Sequence, residues 1–269
     1  MSVISINNLT RDYGNNKGIF NITLNVEKGE VFGFLGPNGA GKTTTIRHLM
    51  GFIKPKMGSC LINDLDCFSK ASEIQKTLGY IPGEISFFDD MSGLDFLNFL
   101  DKFRGVSNSR KDELIEYFEL NPKGKIKKMS KGMKQKIGIV AAFMHDPDIL
   151  ILDEPTSGLD PLMQKKFIDL LESEKKRGKT ILISSHIFEE VEKTCDRVGI
   201  IKEGKIVAVD SVEALRKRHV RSYSVTLENE ELASSFAKDF DGECQGNRVI
   251  VSANASLEEI FLNYYEGEK

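Results

Sequence analysis

The sequence is poor in cysteine, has no long apolar run and carries little net charge. Its four cysteines are scattered without a C-x-x-C pair, which argues against a disulfide framework or a zinc site and fits a reducing compartment. They are Cys60, Cys67, Cys195 and Cys244. No apolar stretch approaches the roughly 20 residues of a membrane-spanning helix, so any action at a membrane is expected to need a separate membrane protein. The 37 basic and 40 acidic residues leave a net charge of −3, which gives no electrostatic indication of nucleic-acid binding.

The 269 residues are enough for one large domain or two smaller ones. The first residues lack the basic and apolar segments of a signal peptide, so none is expected. Short apolar runs typical of buried strands alternate with helical patterns, and the stretch from about 85 to 145 is helical. From about residue 211 the pattern changes to two strands and a closing helix. We therefore expect an α/β domain at 1–210 with a helical subdomain at about 85–145, and a small α+β subdomain at 211–269.

A phosphate-binding loop is the clearest motif in the sequence. Residues 36–44 match the pattern G-x-x-x-x-G-K-[ST] in full, between a short apolar strand and a helix. Glycines in such a loop let the backbone approach phosphate groups, and the N-terminus of the following helix favours anions. Lys42 is expected to reach the β- and γ-phosphates, and the Thr43 hydroxyl to bind Mg²⁺. The nucleotide-binding residues predicted in this loop are Gly36, Asn38, Gly39, Ala40, Gly41, Lys42, Thr43 and Thr44.

Two carboxylates end a second buried strand. The apolar run from Ile149 to Leu152 is followed by Asp153 and Glu154, and parallel strands deliver such residues to the carboxyl edge of a sheet, where ligands bind. Asp153 is expected to hold Mg²⁺, and Glu154 to polarise the attacking water, which a hydrolase needs and a kinase does not. The alternative for Asp153 and Glu154 is a solvated acidic turn. The alternative for residues 36–44 is a glycine-rich turn that contains a lysine by chance. That loop by itself would suit a kinase, a GTPase or a transport ATPase.

The segment between these two motifs resembles the signature sequence of ABC-type ATPases. Residues 129–135 read Met-Ser-Lys-Gly-Met-Lys-Gln, where that family usually has Leu-Ser-Gly-Gly-Gln, one helix ahead of the acidic strand. Residues 155–160 resemble the D-loop region of the family. His186 follows a strand, as the switch histidine of the family does, and Tyr13 matches the aromatic residue that stacks on adenine. The resemblance covers roughly residues 1–210.

The resemblance implies a P-loop NTPase fold of the ABC type, with an antiparallel β subdomain beside the helical one. It implies that the chain hydrolyses ATP with Mg²⁺, with Glu154 as the base and His186 on the γ-phosphate. Ser130 and Gly132 are then expected to bind the ATP held by a second chain, and Asp160 to link the two sites. The expected assembly is a homodimer, or a heterodimer with a related ATPase. It is expected to bind a transmembrane permease at the cytoplasmic face of the membrane and to bind no nucleic acid.

A narrower resemblance points to the ATPases of ABC-2-type drug and antibiotic exporters. It rests on the Ser-Lys-Gly-Met variant, in which Lys131 and Met133 replace a glycine and a glutamine, and on the closing segment at 256–265. The alternative is a non-transport ABC ATPase associated with translation or DNA repair. Such proteins usually carry two ATPase domains or a long coiled coil, whereas this chain has one phosphate loop and no long heptad stretch. A kinase or GTPase would not explain residues 130–133 or His186.

The chain departs from the family pattern in the loop that joins its two subdomains. Gly83 stands where a glutamine usually contacts Mg²⁺ and the attacking water. Either Glu84 replaces that glutamine, or water completes the shell of the metal. Phe87 and Phe88 follow in this loop, and they are expected either to receive a helix of the membrane subunit or to lie in the core.

Overall fold

The computed structural model of the chain describes residues 2–15, 17–87, 90–105, 110–218, 220–254 and 256–266. The chain divides into two compact units, Met1–Val209 and Asp210–Lys269. Within the described ranges, no helix is both long and apolar enough to cross a membrane.

The first unit alternates strands and helices along the chain. Its strands are β1 (Ser2–Asp12), β2 (Gly18–Glu27), β3 (Val31–Leu35), β4 (Met57–Ile62), β5 (Leu65–Asp66), β6 (Leu78–Ile81), β7 (Ile149–Asp153), β8 (Thr180–Ser185), β9 (Arg197–Lys202) and β10 (Lys205–Ser211). Its helices are α1 (Lys42–Leu49), α2 (Ala71–Thr77), α3 (Gly93–Arg104), α4 (Lys111–Tyr117), α5 (Lys131–Phe143), α6 (Pro161–Lys176) and α7 (Phe188–Thr194). The second unit contains α8 (Val212–Arg218), β11 (Val220–Thr226), α9 (Glu230–Asp239), β12 (Glu243–Gln245), β13 (Arg248–Asn254) and α10 (Leu257–Glu266).

A six-stranded sheet in the order β10-β9-β3-β8-β7-β6 forms the centre of the first unit. In it, β3 pairs in parallel with β8 and β9, and β7 pairs in parallel with β6 and β8. Every residue of β3, β7 and β8 is buried, as expected for parallel strands that are covered on both faces. Their carboxyl ends therefore lie at one edge of the sheet. At this edge β3 leads into the phosphate loop, β7 ends at Asp153 and β8 ends at Ser185.

A second sheet, antiparallel where its pairings are described, has the order β2-β1-β4-β5. Alternate residues of β2 are buried, among them Ile22, Leu24 and Val26, because one face of this sheet meets the core and the other meets solvent. The buried face shares one hydrophobic cluster with α1 and with central-sheet residues such as Phe34 and Ile151. This shared core fixes α1, and with it the phosphate loop, against both sheets.

Helices α3, α4 and α5 occupy the chain between β6 and β7, and α5 packs against α3, α4 and β6. Ser92 caps α3 by accepting a hydrogen bond from the Asp95 N–H at 3.1 Å, and Gly105, with a φ of 63°, ends that helix. At the start of α4 the guanidinium of Arg110 pairs with the buried Glu174 of α6 at 2.6 Å. This ion pair joins the helical segment to the α/β part of the unit.

In the second unit, β13 is the central strand of a three-stranded antiparallel sheet with the order β11-β13-β12. Helix α9 packs on β13 through Ala233 and Ala237, which form a small buried cluster with Val249. Helix α10 contacts α8, and Leu257 and Ile260 of α10 are buried. The sequence predicts β11, β13 and α10 of this unit but not α8, α9 or β12.

Candidate functional site

The loop at residues 36–41 connects β3 to α1 and turns the backbone tightly. Gly39 and Gly41 have φ values of 82° and 113°, a region that residues with a Cβ rarely adopt. At Gly41 a Cβ would also lie 2.7 Å from Cγ2 of Ile19, so a side chain has no room. Because Gly41 is the N-cap of α1, no side chain at this position satisfies the first N–H groups of the helix. These groups are available to an anion held in the loop.

The other predicted loop residues lie around the same turn. Gly36 and Ala40 are buried, and Asn38 is exposed. Thr43 and Thr44 are half-buried on the first turn of α1. The structure thus places all the predicted loop residues at the start of α1, and their individual contacts with a nucleotide stay a prediction.

Lys42 is buried at the start of α1, with 5% of its side chain exposed. Its Nζ donates to the carbonyl of Gly36 at 2.5 Å and to that of Pro37 at 3.3 Å. It also lies 3.1 Å from Oε1 of Glu154, which supplies the opposite charge that a buried ammonium group requires. The lysine therefore joins the phosphate loop to the end of β7.

Asp153 ends β7 and is fully buried. Its Oδ1 accepts a hydrogen bond from the hydroxyl of Ser184 on β8 at 2.5 Å, whereas its Oδ2 has no hydrogen-bond partner among the described residues. A buried carboxylate oxygen without a partner is costly, and a divalent cation would satisfy it. With the hydroxyl of Thr43, this oxygen offers the hard ligands that Mg²⁺ prefers. The residues present therefore fit a magnesium ion.

Glu154 follows β7 in a left-handed backbone conformation, with a φ of 49°. Its N–H donates to the carbonyl and the hydroxyl of Ser184, at 3.1 and 3.2 Å, which holds this conformation. Its carboxylate contacts Nζ of Lys42 through Oε1, and Nδ1 of His186 at 2.5 Å through Oε2. Glu154 is thus in direct contact with both of the other residues predicted to be catalytic, and the imidazole of His186 remains more than half exposed.

The predicted signature residues begin α5 and contact the segment after β7. Ser130 is the N-cap, and its hydroxyl accepts from the N–H of the third helical residue at 3.2 Å. Nζ of Lys131 donates to the hydroxyl of Ser157 at 2.9 Å. A Cβ on Gly132 would lie 2.8 Å from the carbonyl oxygen of Gly158, so the two backbones are closely packed. In the part of the chain that the structure describes, no hydrogen bond joins Ser130 or Gly132 to the phosphate loop of the same chain.

Asp160 and Tyr13 are the two remaining predicted residues. Asp160 caps α6 by accepting from the Met163 N–H at 3.0 Å. Tyr13 follows β1, and its side chain is 54% exposed, which leaves ring surface open to a planar base. The guanidinium carbon of Arg11 lies 5.3 Å from the ring centroid, a cation–π contact that helps to orient the ring.

Gly83 lies directly beside the carboxylate of Asp153. A Cβ at Gly83 would be 2.9 Å from Oδ2 of Asp153, so the backbone of the loop after β6 approaches that oxygen closely. Glu84 is exposed, and its replacement of the usual glutamine stays a prediction. Burial, with the charge of Asp153 as a second cause, raises the pKa of Tyr80 on β6 to about 12, so its phenol stays neutral at physiological pH.

A groove with a volume of about 1250 Å³, lined by aromatic, aliphatic and charged residues, lies between the α2–β6 segment, the end of α3 and residues 145–148. Two of its aromatic lining residues, Phe52 and Phe103, are 55% and 73% exposed. Phe87 lies elsewhere: it is half-buried and packs edge-to-face on the half-buried Phe96, with ring centroids 5.2 Å apart, so it does not belong to the fully buried core. Phe88, for which the sequence predicts the same two alternatives, lies outside the described residues.

Two residues that contact the site are not indicated by the sequence. Ser184, the penultimate residue of β8, forms hydrogen bonds with both Asp153 and Glu154. Its position near the carboxyl end of a buried strand is the sequence feature from which this role could have been predicted. Glu190 lies buried on α7, and no local pattern marks it. Burial raises the pKa of Glu190 and the charge of Glu154 adds to the increase, whereas hydrogen bonds from two hydroxyl groups oppose it.

Comparison with known proteins identifies the family. The family described as "ABC transporter" matches residues 19–157. The bacitracin transport ATP-binding protein BcrA of Bacillus licheniformis is 39% identical over 236 residues, which cover 86% of this chain and 77% of that protein. The linearmycin resistance ATP-binding protein LnrL of Bacillus subtilis (strain 168) is 34% identical over 222 residues, which cover 80% of this chain and 71% of that protein.

Solved structures show the same fold. The structure of an ATP-binding subunit of an ABC transporter matches with a TM-score of 0.78 and 26% identity, covering 98% of this chain and all of that one. The bacterial ABC transporter cassette MJ0796, solved as a dimer, matches with a TM-score of 0.68 and 22% identity, covering 77% of this chain and 98% of that one. The predicted fold class, an α/β P-loop NTPase of the ABC type, is confirmed. The chain belongs to the ABC transporter family, as an ATP-binding subunit that hydrolyses ATP.

Proposed function

We propose that this chain powers an ABC exporter by hydrolysing Mg²⁺-bound ATP at a site that two such chains share. The observation that carries the proposal is the contact of Lys42, Glu154 and His186 at the carboxyl edge of the central sheet, beside Asp153. A phosphate-binding cation, a general base and an imidazole able to donate to the γ-phosphate are groups that assist hydrolysis of a phosphoanhydride.

The contacts of Glu154 suggest how ATP engages the base. A triphosphate in the loop would offer Nζ of Lys42 a more highly charged partner than the carboxylate it now contacts at 3.1 Å. Oε1 of Glu154 would then be free to accept a proton from the attacking water, while His186 would turn its donor to the γ-phosphate. Mg²⁺, held by Asp153 and Thr43, would neutralise charge on the phosphate oxygens.

The second half of each site would come from another copy of the chain or from a related ATPase. Ser130 and Gly132 begin α5, whose first turn has no acidic residue, and an N-terminus of this kind favours an anion. In this chain Gly132 packs on Gly158 and the intervening Lys131 bonds to Ser157, whereas no hydrogen bond among the described residues joins Ser130 or Gly132 to the phosphate loop. The similar cassette MJ0796 was solved as a dimer, which supports the pairing of two such chains.

The membrane subunit is proposed to bind in the groove beside α2, β6 and the end of α3. Phe52 and Phe103 expose large aromatic surfaces there, and exposed apolar patches of this kind are typical of interaction sites. The chain would then lie at the cytoplasmic face of the membrane. The similar proteins named for bacitracin transport and linearmycin resistance support export of an antibiotic-like compound.

Copurification with a membrane protein tests the proposal. The tagged chain should be extracted together with the product of an adjacent reading frame that encodes about six apolar spans. Bacitracin and linearmycin are the first candidates for stimulating the ATPase activity of that complex. An active ATPase that copurifies with ribosomes or DNA, and with no membrane protein, would instead support the non-transport alternative.

A matched pair of variants tests the groove. Phe103→Glu should abolish copurification with the membrane protein, because it replaces a large exposed aromatic surface of the groove with a charge, while the isolated chain keeps its ATPase activity. Met57→Glu changes a similarly exposed apolar residue on β4 and should leave copurification intact. Equal recovery of the membrane protein with both variants would place its docking surface elsewhere.

A further inference from the structure

Glu190 is a buried carboxylate that the proposed chemistry does not use. It lies on α7, four positions after His186, and only 2% of its surface is exposed. Its neighbour Glu189 is exposed and pairs with Lys193 one turn further along the helix, at 2.7 Å. A carboxylate is retained in an interior only where hydrogen bonds or an opposite charge compensate its burial. The partners of Glu190 therefore indicate what it does.

Hydroxyl groups from two separate segments act on the carboxylate of Glu190. The hydroxyl of Ser185, at the end of β8, donates to Oε2 at 2.6 Å. The hydroxyl of Thr156, in the segment that follows Glu154, also interacts with this carboxylate and lowers its pKa. Both residues are almost fully buried, with 1% of Ser185 and 3% of Thr156 exposed, so water does not compete for the bond from Ser185.

The same contacts fix the residues on both sides of His186. The oxygen of Ser185, which donates to Glu190, also accepts a hydrogen bond from the N–H of Ile187 at 3.0 Å. Within α7, the hydroxyl of Thr194 donates to the backbone carbonyl of Glu190 at 2.7 Å, which secures the helix turn that carries the carboxylate. The backbone that bears the imidazole of His186 is thus held between two residues of one hydrogen-bonded cluster.

We infer that Glu190 is a positioning residue for ATP hydrolysis, which holds the His186 segment and the segment after Glu154 in a fixed relation through Ser185 and Thr156. His186 and Glu154 are themselves in contact at 2.5 Å, so a shift of either segment changes the geometry of the pair. Misplacement by about 1 Å can cost up to roughly 10²-fold in rate. The role of Glu190 depends on the proposed catalytic roles of Glu154 and His186.

Kinetics of Glu190→Gln, with Glu189→Gln as the matched control, test this role. The side-chain amide of glutamine has the volume of the carboxylate but only one oxygen that can accept from a hydroxyl group. The interactions with Ser185 and Thr156 are therefore weakened without a change in packing. Turnover should fall about tenfold or more with ATP affinity changed less than about threefold, because phosphate binding by the loop is untouched. Glu189→Gln removes an exposed carboxylate one position away and should leave both quantities unchanged.

The double variant Glu190→Gln with His186→Ala separates positioning from a merely structural role. If Glu190 acts by aligning His186 with Glu154, removal of His186 leaves nothing to align, and the double variant should turn over at the rate of His186→Ala alone. Effects that multiply, or Glu190→Gln turnover equal to that of Glu189→Gln, would overturn the inference. Turnover of His186→Ala at the wild-type rate would instead contradict the proposed role of His186. The two failures are therefore distinguishable.

Variants of Ser185 and Thr156 keep the inference testable if Glu190→Gln does not fold. Ser185→Ala and Thr156→Val each remove one hydroxyl and leave the carboxylate in place. Each should lower turnover without a comparable loss of ATP affinity, and each should have little further effect in the His186→Ala background. Wild-type turnover in both variants would overturn the inference that Glu190 positions His186 and Glu154 through these two residues.

Discussion

Replacing Glu154 by glutamine separates two roles of one carboxylate, the base of hydrolysis and the counter-ion of Lys42. The amide keeps the size of the side chain and can still accept a hydrogen bond. It carries no negative charge, however, and cannot take a proton from water. Lys42, which is 5% exposed, would be left with the carbonyl oxygens of Gly36 and Pro37 as its recorded partners.

The two roles predict effects of different size. Loss of a general base costs typically 10²–10⁴-fold, so turnover should fall by about that factor. Without ATP, loss of the charge beside a buried ammonium should lower the free energy of unfolding by roughly 1–3 kcal/mol. At roughly 2–4 °C per kcal/mol, Tm should fall by several degrees. Because the phosphates of ATP would restore a negative partner to Lys42, ATP should raise Tm more in the variant than in the wild type.

The assay combines phosphate release, thermal unfolding with and without Mg²⁺-ATP, and size-exclusion chromatography. The variant should accumulate as a dimer with ATP bound. Glu213→Gln is the control, since it removes an exposed carboxylate that pairs with Lys217 and should alter none of the three measurements. Near wild-type turnover of Glu154→Gln would refute the assignment of the base. An unchanged Tm without ATP would refute the stabilising role of the pair with Lys42.

Three further results are expected. Tyr13→Ala should weaken ATP binding about tenfold in an equilibrium titration, and Tyr13→Phe should not, because only the first removes ring stacking. Burial, with the charge of Arg104 as a second cause, lowers the pKa of His145 from 6.5 to about 4. The native state then binds fewer protons than the unfolded chain in this window, so the free energy of unfolding should fall as pH drops from 6.5 towards 4, and less so in His145→Gln. Arg110→Gln should lower the free energy of unfolding in urea by roughly 2 kcal/mol, because the buried Glu174 loses one of its two arginine partners.

Each of these three results has a contradicting outcome. Equal ATP affinity of Tyr13→Ala and the wild type would exclude stacking on this ring. Parallel pH profiles of the wild type and His145→Gln would show that this imidazole does not cause the acid-side loss of stability. An Arg110→Gln midpoint equal to that of the wild type would show that the pair with Glu174 contributes nothing net to stability.

The site at the carboxyl edge of the central sheet could be predicted from sequence because each of its residues lies next to a recognisable strand. β3, β7 and β8 are short apolar runs, and a residue that carries chemistry follows each of them directly or after a glycine-rich loop. Parallel pairing of adjacent strands then brings their carboxyl ends to one edge without further information. This is why Lys42, Glu154 and His186 meet in the structure although they are distant along the chain.

The elements that the sequence does not indicate are stabilised by tertiary packing. Helix α7 has seven residues, and its N-cap, Ile187, provides no side-chain hydrogen bond. Helices of this length are not stable alone, so packing must hold it. A Cβ at Gly33 would lie 2.8 Å from Cγ1 of Val191, so α7 approaches β3 at a position where β3 has no side chain. Glu190 is buried by that approach, which no local pattern reports.

Lys131, which replaces the usual glycine of the signature, contacts the segment that follows Glu154. The stem of Lys131 packs where a Cβ on Gly158 would lie, 2.9 Å from its Cγ and Cδ, and its ammonium bonds to Ser157. The hydroxyl of the adjacent Thr156 interacts with the carboxylate of Glu190 on α7. Residues 156–158 therefore face the signature helix on one side and α7 on the other. A glycine at position 131 would form no such bond to Ser157, so Lys131 adds one polar contact between α5 and residues 156–158 to the packing of Gly132 on Gly158.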